Sequence, residues 1–263
     1  MSRRAAAAAA AAAIAVPTVL AAPGGGAPGG SPARHAAPAR AHAGSPAAGA
    51  ARRVRERIRV GRSLRGRRID VVRLGRPDAR RTVLVVGAIH GDEPAGRTVA
   101  RRLETGPLPR RTDLWVVRDL NPDGRTARTR VNARGVDLNR NFPQRWRRLP
   151  RGRFFSGPRP ASEPETRIAQ RLIRRIRPDL TIWIHQPYGI VVDTGAADPA
   201  VERRVSRLLG LPLRRLARYT GTAVAWQRSV LPRTDALVVE LGPSRLSRGG
   251  AERVARKLRR LAP

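Results

Sequence analysis

Apolar segments of strand length alternate with segments of helical spacing, and this alternation restricts the fold more than any other sequence feature. Residues 82–89 form a nearly continuous apolar run rich in β-branched side chains, which is typical of a strand buried on both faces. Three shorter runs share this character, at residues 114–117, 180–184 and 236–239. Helical spacing of apolar residues occurs at residues 94–103, 164–176, 201–209 and 251–261. The pattern predicts an α/β domain with a mixed, mostly parallel central sheet and helices on both faces.

Two local signals add detail to this fold. Residues 58–60 and 69–74 are strand candidates joined by a turn-rich connection, which predicts an antiparallel hairpin at one sheet edge. Ser162 precedes a helical segment and Glu165 follows three residues later, so we expect an N-cap and a capping box there.

The first 51 residues differ in composition from the rest of the chain, because Ala, Gly and Pro dominate them. Residues 1–22 combine a basic start, an apolar stretch and small residues suited to cleavage, which predicts a signal peptide. Residues 23–51 predict a disordered linker, and residues 52–263 form the remaining domain. We therefore expect secretion, or a cell-wall or periplasmic location, with an uncleaved membrane anchor as the alternative.

The charge of the chain is extreme but uninformative about a specific partner. The formal net charge is +35, and Lys257 is the only lysine among 54 basic residues, so the excess of arginine indicates the codon bias of a GC-rich genome. Such a surface attracts anionic polymers in a salt-dependent way. Aromatic residues make up only 3% of the chain and no nucleic-acid-binding motif is present, so we expect no specific nucleic acid. The absence of cysteine excludes disulfides and thiolate metal sites.

Two of the four histidines follow apolar strand candidates, and acidic residues accompany them. His90 and Glu93 come after the first buried run, His185 closes the third, and Glu240 closes the fourth. In open α/β sheets, sites form beyond the carboxyl ends of the strands. Catalytic zinc needs about three nitrogen or oxygen ligands from the protein. The pattern favours one zinc site per chain with Glu240 as a candidate base; the alternative is core histidines and surface glutamates that follow strands by chance.

Two further motifs complete the pattern and carry a family resemblance. Residues 119–124 read Asp-Leu-Asn-Pro-Asp-Gly, and residues 135–143 read Gly-Val-Asp-Leu-Asn-Arg-Asn-Phe-Pro. With the histidines and glutamates in the same order, residues 58–263 resemble the zinc carboxypeptidase family. The turn at residues 61–67 and the Ser-Glu-Pro-Glu-Thr sequence at residues 162–166 are similar to the murein peptide amidase branch, which cleaves the γ-D-glutamyl-diaminopimelate bond of peptidoglycan peptides.

The resemblance implies a role for each matching residue. The implied zinc ligands are His90, Glu93 and His185. Glu240 corresponds to the general base that takes a proton from water and passes it to the leaving amine. The pair that holds the free carboxylate of the substrate is Asn139 and Arg140.

Three further assignments leave alternatives open. Arg130 is our choice for the arginine that stabilises the oxyanion, with Arg125 and Arg128 as rivals. Asp137 is expected to accept the far N–H of a ligand histidine, or else to cap a turn. Tyr219 lies near the position of the mobile-loop tyrosine of larger carboxypeptidases, although its spacing is slightly short and a packing role is the alternative.

Together these features predict a secreted zinc metallopeptidase or amidase, a monomer, that acts on peptidoglycan peptides with a free C-terminal carboxylate. A zinc deacylase of N-acyl amino acids, similar to succinylglutamate desuccinylase or aspartoacylase, is the second hypothesis, and the motifs at residues 119–124 and 135–143 argue against it. A non-catalytic cationic wall-binding protein is the third.

Overall fold

The computed structural model describes residues 52–196 and 198–261. The predicted signal peptide and linker, residues 1–22 and 23–51, lie outside this part of the chain. None of the helices in the described residues is long and apolar enough to cross a membrane.

A mixed sheet of eight strands forms the centre of the domain, in the order β1-β2-β4-β3-β5-β8-β6-β7. Its strands are β1 (Val54–Arg62), β2 (Arg68–Gly75), β3 (Arg81–Val86), β4 (Thr112–Val117), β5 (Leu180–His185), β6 (Ile190–Val192), β7 (Leu213–Arg214) and β8 (Asp235–Glu240). The central strands β4, β3, β5 and β8 run parallel, whereas β1 and β2 form an antiparallel hairpin at one edge. The predicted fold class and the predicted hairpin are therefore confirmed.

Helices cover both faces of this sheet, as the strand sequences require. They are α1 (Pro94–Thr105), α2 (Pro122–Ala127), α3 (Pro164–Ile176), α4 (Pro199–Leu209), α5 (Ala223–Val230) and α6 (Arg248–Arg259). Val83 and Val85 of β3 pack with α1, α4 and α6 on one face of the sheet, whereas Leu84 packs with α3 and α5 on the other face. Because successive side chains point to opposite faces, a strand covered on both sides needs an unbroken apolar run, which residues 83–86 of β3 supply. The strand ends three residues earlier than predicted, because residues 87–89 lie in the loop that follows it.

The predicted capping box at the start of α3 is wrong. The N-cap is Glu163, whose side chain makes no capping hydrogen bond. The Ser162 hydroxyl instead donates to Glu163 Oε1 at 2.7 Å, and Glu165 Oε1 accepts the Leu64 amide at 2.9 Å. Both side chains are buried; Glu163 and Asn141 satisfy Ser162, and the Leu64 amide satisfies Glu165, in place of the helix terminus.

Candidate active site

The candidate residues lie together at the carboxyl-terminal ends of three neighbouring parallel strands. His185 is the last residue of β5, and Glu240 is the last residue of β8, which pairs with it. His90 lies in the short loop after β3, and Glu93 is the residue immediately before α1. Because parallel strands bring their carboxyl ends together, residues far apart in the sequence meet here.

The loop that carries His90 packs directly against the start of α2. A Cβ atom at Gly91 would overlap the backbone of Gly124 and Arg125. Asn121 caps α2 by accepting the Gly124 amide at 2.9 Å. This backbone contact explains the glycine at position 91, whereas a Cβ atom at Gly124 would overlap Asn121 and the Val131 carbonyl.

The ligating atoms of His90, Glu93 and His185 lie within 4.8 Å of one another, and all three side chains are buried. His90 Nδ1 lies 2.8 Å from Glu93 Oε1, and His185 Nδ1 lies 2.9 Å from Glu93 Oε2. The two Nδ1 atoms are 3.2 Å apart. The structure thus brings together the three residues that the sequence places after β3 and at the end of β5.

The hydrogen-bonding chemistry of this cluster suits a cation. His90 Nε2 lies 3.0 Å from Asp137 Oδ1, and because an ionised carboxylate only accepts, Nε2 carries the hydrogen. In the neutral ring the His90 Nδ1 lone pair then faces the second imidazole and a carboxylate oxygen. Converging acceptors of this kind repel unless a cation or a proton lies between them, and two imidazoles with one carboxylate are a set that zinc accepts.

Electrostatics keep the acidic members of the cluster ionised. Burial alone would raise the pKa of Glu93, but His185 and His90 outweigh it and hold the pKa well below its usual range. Burial alone would also raise the pKa of Asp137, but His90 and Arg130 outweigh it and hold the pKa well below the ordinary value. Both carboxylates are therefore available as acceptors at neutral pH.

Asp137 joins His90 to Arg130. The Arg130 Nε–H donates to Asp137 Oδ2 at 2.9 Å, and its Nη1 donates to Glu93 Oε1 at 3.2 Å. Asp137 also accepts the Asn139 amide at 2.9 Å and so caps the 3-10 turn Leu138–Arg140. One side chain therefore makes both contacts that the alternative predictions require, one with a histidine and one with a turn amide.

The rival arginines lie elsewhere. Arg125 Nε donates to Asp119 Oδ2 at 2.6 Å, and Arg128 is an exposed residue at the end of α2. Of the three arginines considered, Arg130 is the one that contacts the cluster of His90, Glu93 and His185.

Glu240 offers an unpaired oxygen near this cluster. The residue is only 8% exposed, and its Oε2 has no hydrogen-bond partner among the described residues. Desolvation by burial is the main reason that its pKa lies above the ordinary value. A buried carboxylate oxygen without a partner is costly, and its presence beside His185 marks a position where a ligand or water is expected.

The predicted carboxylate-binding pair lies on the turn after Asp137. Asn139 Oδ1 accepts the Ala223 amide at the start of α5 at 2.9 Å, which leaves only the donor end of its amide for a ligand. Arg140 is buried, and its Nη1 donates to the Asn139 carbonyl at 2.8 Å. No described carboxylate lies within 4.0 Å of the Arg140 guanidinium. The Tyr219 ring, 52% exposed, lies 4.2 Å from Arg140 Cζ.

Two residues near the site were not singled out from the sequence. Phe154 is 48% exposed, and its ring lies close to both Arg130 and Arg140. Gln186 Oε1 accepts the Ala95 amide at 2.8 Å, while its Nε2 donates to the Gly242 carbonyl at 2.8 Å. Gln186 therefore ties the start of α1, next to Glu93, to the segment that follows Glu240. Its position directly after His185 was the only available signal.

Comparison with known proteins agrees with this geometry. Residues 48–192 match the Peptidase_M14 family, described as zinc carboxypeptidase. That segment includes the three clustered residues and ends before Tyr219 and Glu240. Murein peptide amidase A of Escherichia coli K12 is 36% identical over 131 residues, which is 44% of this chain and 53% of that protein. The chain thus spans about half the length of this curated relative.

Solved structures show a similar fold over a longer part of the chain. The murein-tripeptide amidase MpaA of Escherichia coli O157 aligns with a TM-score of 0.66 and 27% identity, covering 78% of this chain and 91% of that one. The carboxypeptidase A of Helicoverpa armigera also aligns with a TM-score of 0.66, at 18% identity, covering 78% of this chain and 66% of that one. The second likeness concerns the fold alone.

Proposed function

The chain belongs to the zinc carboxypeptidase family, and from that premise we propose that it is a zinc-dependent hydrolase of peptidoglycan peptides. The proposed substrate carries a free C-terminal carboxylate, and the bond cleaved is a peptide bond or a γ-D-glutamyl-diaminopimelate bond. The main support is the convergence of His90, Glu93 and His185 beside the unpaired oxygen of Glu240. The likeness to murein peptide amidases supports the substrate class.

Different residues of the site are suited to different steps of such a reaction. A zinc ion held by His90, Glu93 and His185 would supply Lewis acidity and bring the pKa of a water toward neutrality. Glu240 Oε2 is suited to take the proton of the attacking water and to deliver it to the departing nitrogen. Its raised pKa brings the carboxyl closer to the operating pH, which favours transfer in both directions.

Two arginines and one amide are suited to bind the substrate. Arg140 can take the terminal carboxylate through parallel N–H donors, because its guanidinium has no carboxylate partner of its own among the described residues. Asn139 can add its amide N–H to the same group. Arg130 lies against Glu93 and can donate to the carbonyl oxygen as negative charge develops there.

We also propose export through residues 1–22, which would bring the enzyme to cell-wall material, and contact of its basic surface with anionic polymers.

Digestion of defined murein tripeptide and tetrapeptide, followed by mass spectrometry, tests the function. We expect a loss of the diaminopimelate-containing product when zinc is chelated and its recovery when zinc is restored. N-acylated amino acids serve as the comparison substrates, because a deacylase would cleave them in preference. Cleavage of those compounds alone, or of murein peptide in metal-free protein, contradicts the proposal.

A further inference from the structure

Phe154 presents an aromatic ring to both arginines of the candidate site. Its ring centroid lies 5.4 Å from Arg130 Cζ and 5.6 Å from Arg140 Cζ. The side chain remains 48% exposed, so removal of apolar surface from water is only part of the reason for its placement. A guanidinium within about 6 Å of a ring centroid is attracted by the electrons of the ring.

The same two arginines repel each other, because both carry positive charge. Asp137 counters the repulsion through its direct bond to Arg130 and through its charge near Arg140. Arg130 is held firmly by Glu93 and Asp137. Among the described residues, the Arg140 guanidinium has one hydrogen-bond acceptor, the Asn139 carbonyl, and two aromatic rings beside it, so the rings contribute to its orientation.

The loop that carries Phe154 is fixed to the framework directly after the ring. Phe155 is buried, and its carbonyl accepts the Asp137 amide at 2.8 Å. Trp146 Nε1 donates to the Ser156 carbonyl at 3.1 Å. The ring of Phe154 is therefore held beside the arginines by groups other than the arginines themselves.

We propose that Phe154 is a positioning residue that holds the Arg130 and Arg140 guanidiniums at a fixed separation, so that one binds the terminal carboxylate while the other reaches the scissile carbonyl. The inference rests on the proposed function, since it concerns how a carboxylate-bearing substrate is held. If both guanidiniums are already held in place, less side-chain conformational entropy is lost when the substrate binds.

Ligand binding separates this role from simple packing. The experiment uses the zinc-loaded full-length protein and measures by calorimetry the Kd of N-acetylglycine and of N-acetylglycinamide, which differ only in the carboxylate. The variants are Phe154→Leu, which removes the aromatic face, and Phe154→Tyr, which keeps it. Arg151→Gln is the matched control, because Arg151 is exposed on the same loop and contacts Phe155 instead.

We expect Phe154→Leu to reduce the preference for the acid over the amide by about tenfold, while Phe154→Tyr and Arg151→Gln keep it within about twofold. In hydrolysis, Phe154→Leu should raise KM and also lower kcat, because both arginines are affected. A Phe154→Leu protein with the wild-type preference, or with equal loss of both ligands, overturns the inference. A wild-type protein without any preference for the acid overturns the proposed carboxylate recognition, and the role of Phe154 with it.

Discussion

His185 and Glu240 occupy opposite positions in the parallel register of β5 and β8. Neighbouring strands lie about 4.8 Å apart, so the sheet itself fixes the separation between a proposed metal ligand and the proposed base. The Leu241 amide donates to the His185 carbonyl at 2.8 Å and continues this pairing past the end of β8. Neither residue depends on a flexible loop for its position.

Replacing Glu240 with Gln should abolish proton transfer and leave the metal site intact. We expect hydrolysis to fall by about 10²–10⁴-fold, the range for loss of a general acid–base group. Product formation by mass spectrometry and zinc content by elemental analysis check the two parts. Full activity in this variant contradicts the role of Glu240, and a loss of zinc would instead assign it to the metal site.

Asp137→Asn should weaken zinc binding although Asp137 is not one of the three clustered residues. The substitution removes the charge that fixes the His90 tautomer and anchors Arg130. Loss of such a partner costs about 10–100-fold in metal affinity, which competition with a chromophoric chelator measures. Asp78→Asn is the control, because Asp78 is an exposed carboxylate whose one ion-pair partner among the described residues is Arg76. Equal zinc affinity in both variants would contradict the orienting role.

Zinc removal should lower the thermal unfolding midpoint. The apo protein keeps three buried groups whose acceptors face each other, and a ligand that binds only the folded state stabilises it according to its concentration and Kd. Calorimetry over a zinc titration should show a rising midpoint, which His185→Ala should abolish. A midpoint independent of zinc in the unmodified protein would count against a metal site at these residues.

Gln186→Leu should destabilise the fold and reduce activity together. The Ala95 amide and the Gly242 carbonyl would lose their shared partner, and an unsatisfied buried group costs about 1–3 kcal/mol. Urea denaturation measures the free energy of unfolding. Gln170→Leu is the comparison, because Gln170 is also buried but its Nε2 has no hydrogen-bond partner among the described residues. We expect that variant to be neutral or slightly more stable.

Glu165 should give stability a specific dependence on pH. Burial, with a smaller contribution from Glu163, raises the pKa of Glu165 above its ordinary value. A carboxyl whose pKa is higher in the folded state favours folding most when it is protonated, so this contribution is present below the ordinary pKa and is lost as pH rises through the raised value. The free energy of unfolding of wild type relative to Glu165→Gln should therefore decrease from acidic to neutral pH. A constant difference in urea titrations would contradict the shift.

The sequence predicts the helices with a long apolar pattern and the strands that are buried on both faces of the sheet. The apolar runs that end near His90, His185 and Glu240 define three adjacent strands, and α3 occupies residues 164–176 as expected. Because parallel strands meet at their carboxyl ends, the cluster of candidate residues followed from these runs. The roles of its members remain predictions for the experiments above.

The features that the sequence missed are short or depend on distant partners. β6 has three residues and β7 has two, so neither shows a period. Ser162 carries a good local capping signal, but buried hydrogen bonds with Glu163 and with Asn141, which lies far away in the sequence, replace it. Phe154 lies in an arginine-rich loop without periodicity, and its contact with Arg140 exists only in three dimensions.

The contact between Gly91 and Gly124 restricts how the protein can be redesigned. A methyl group at Gly91 would collide with the main chain of Gly124 and Arg125, so a larger residue at position 91 would require α2 to shift. Mutant libraries aimed at new substrates should keep both glycines and place diversity at Arg151 and Arg153, whose side chains are exposed.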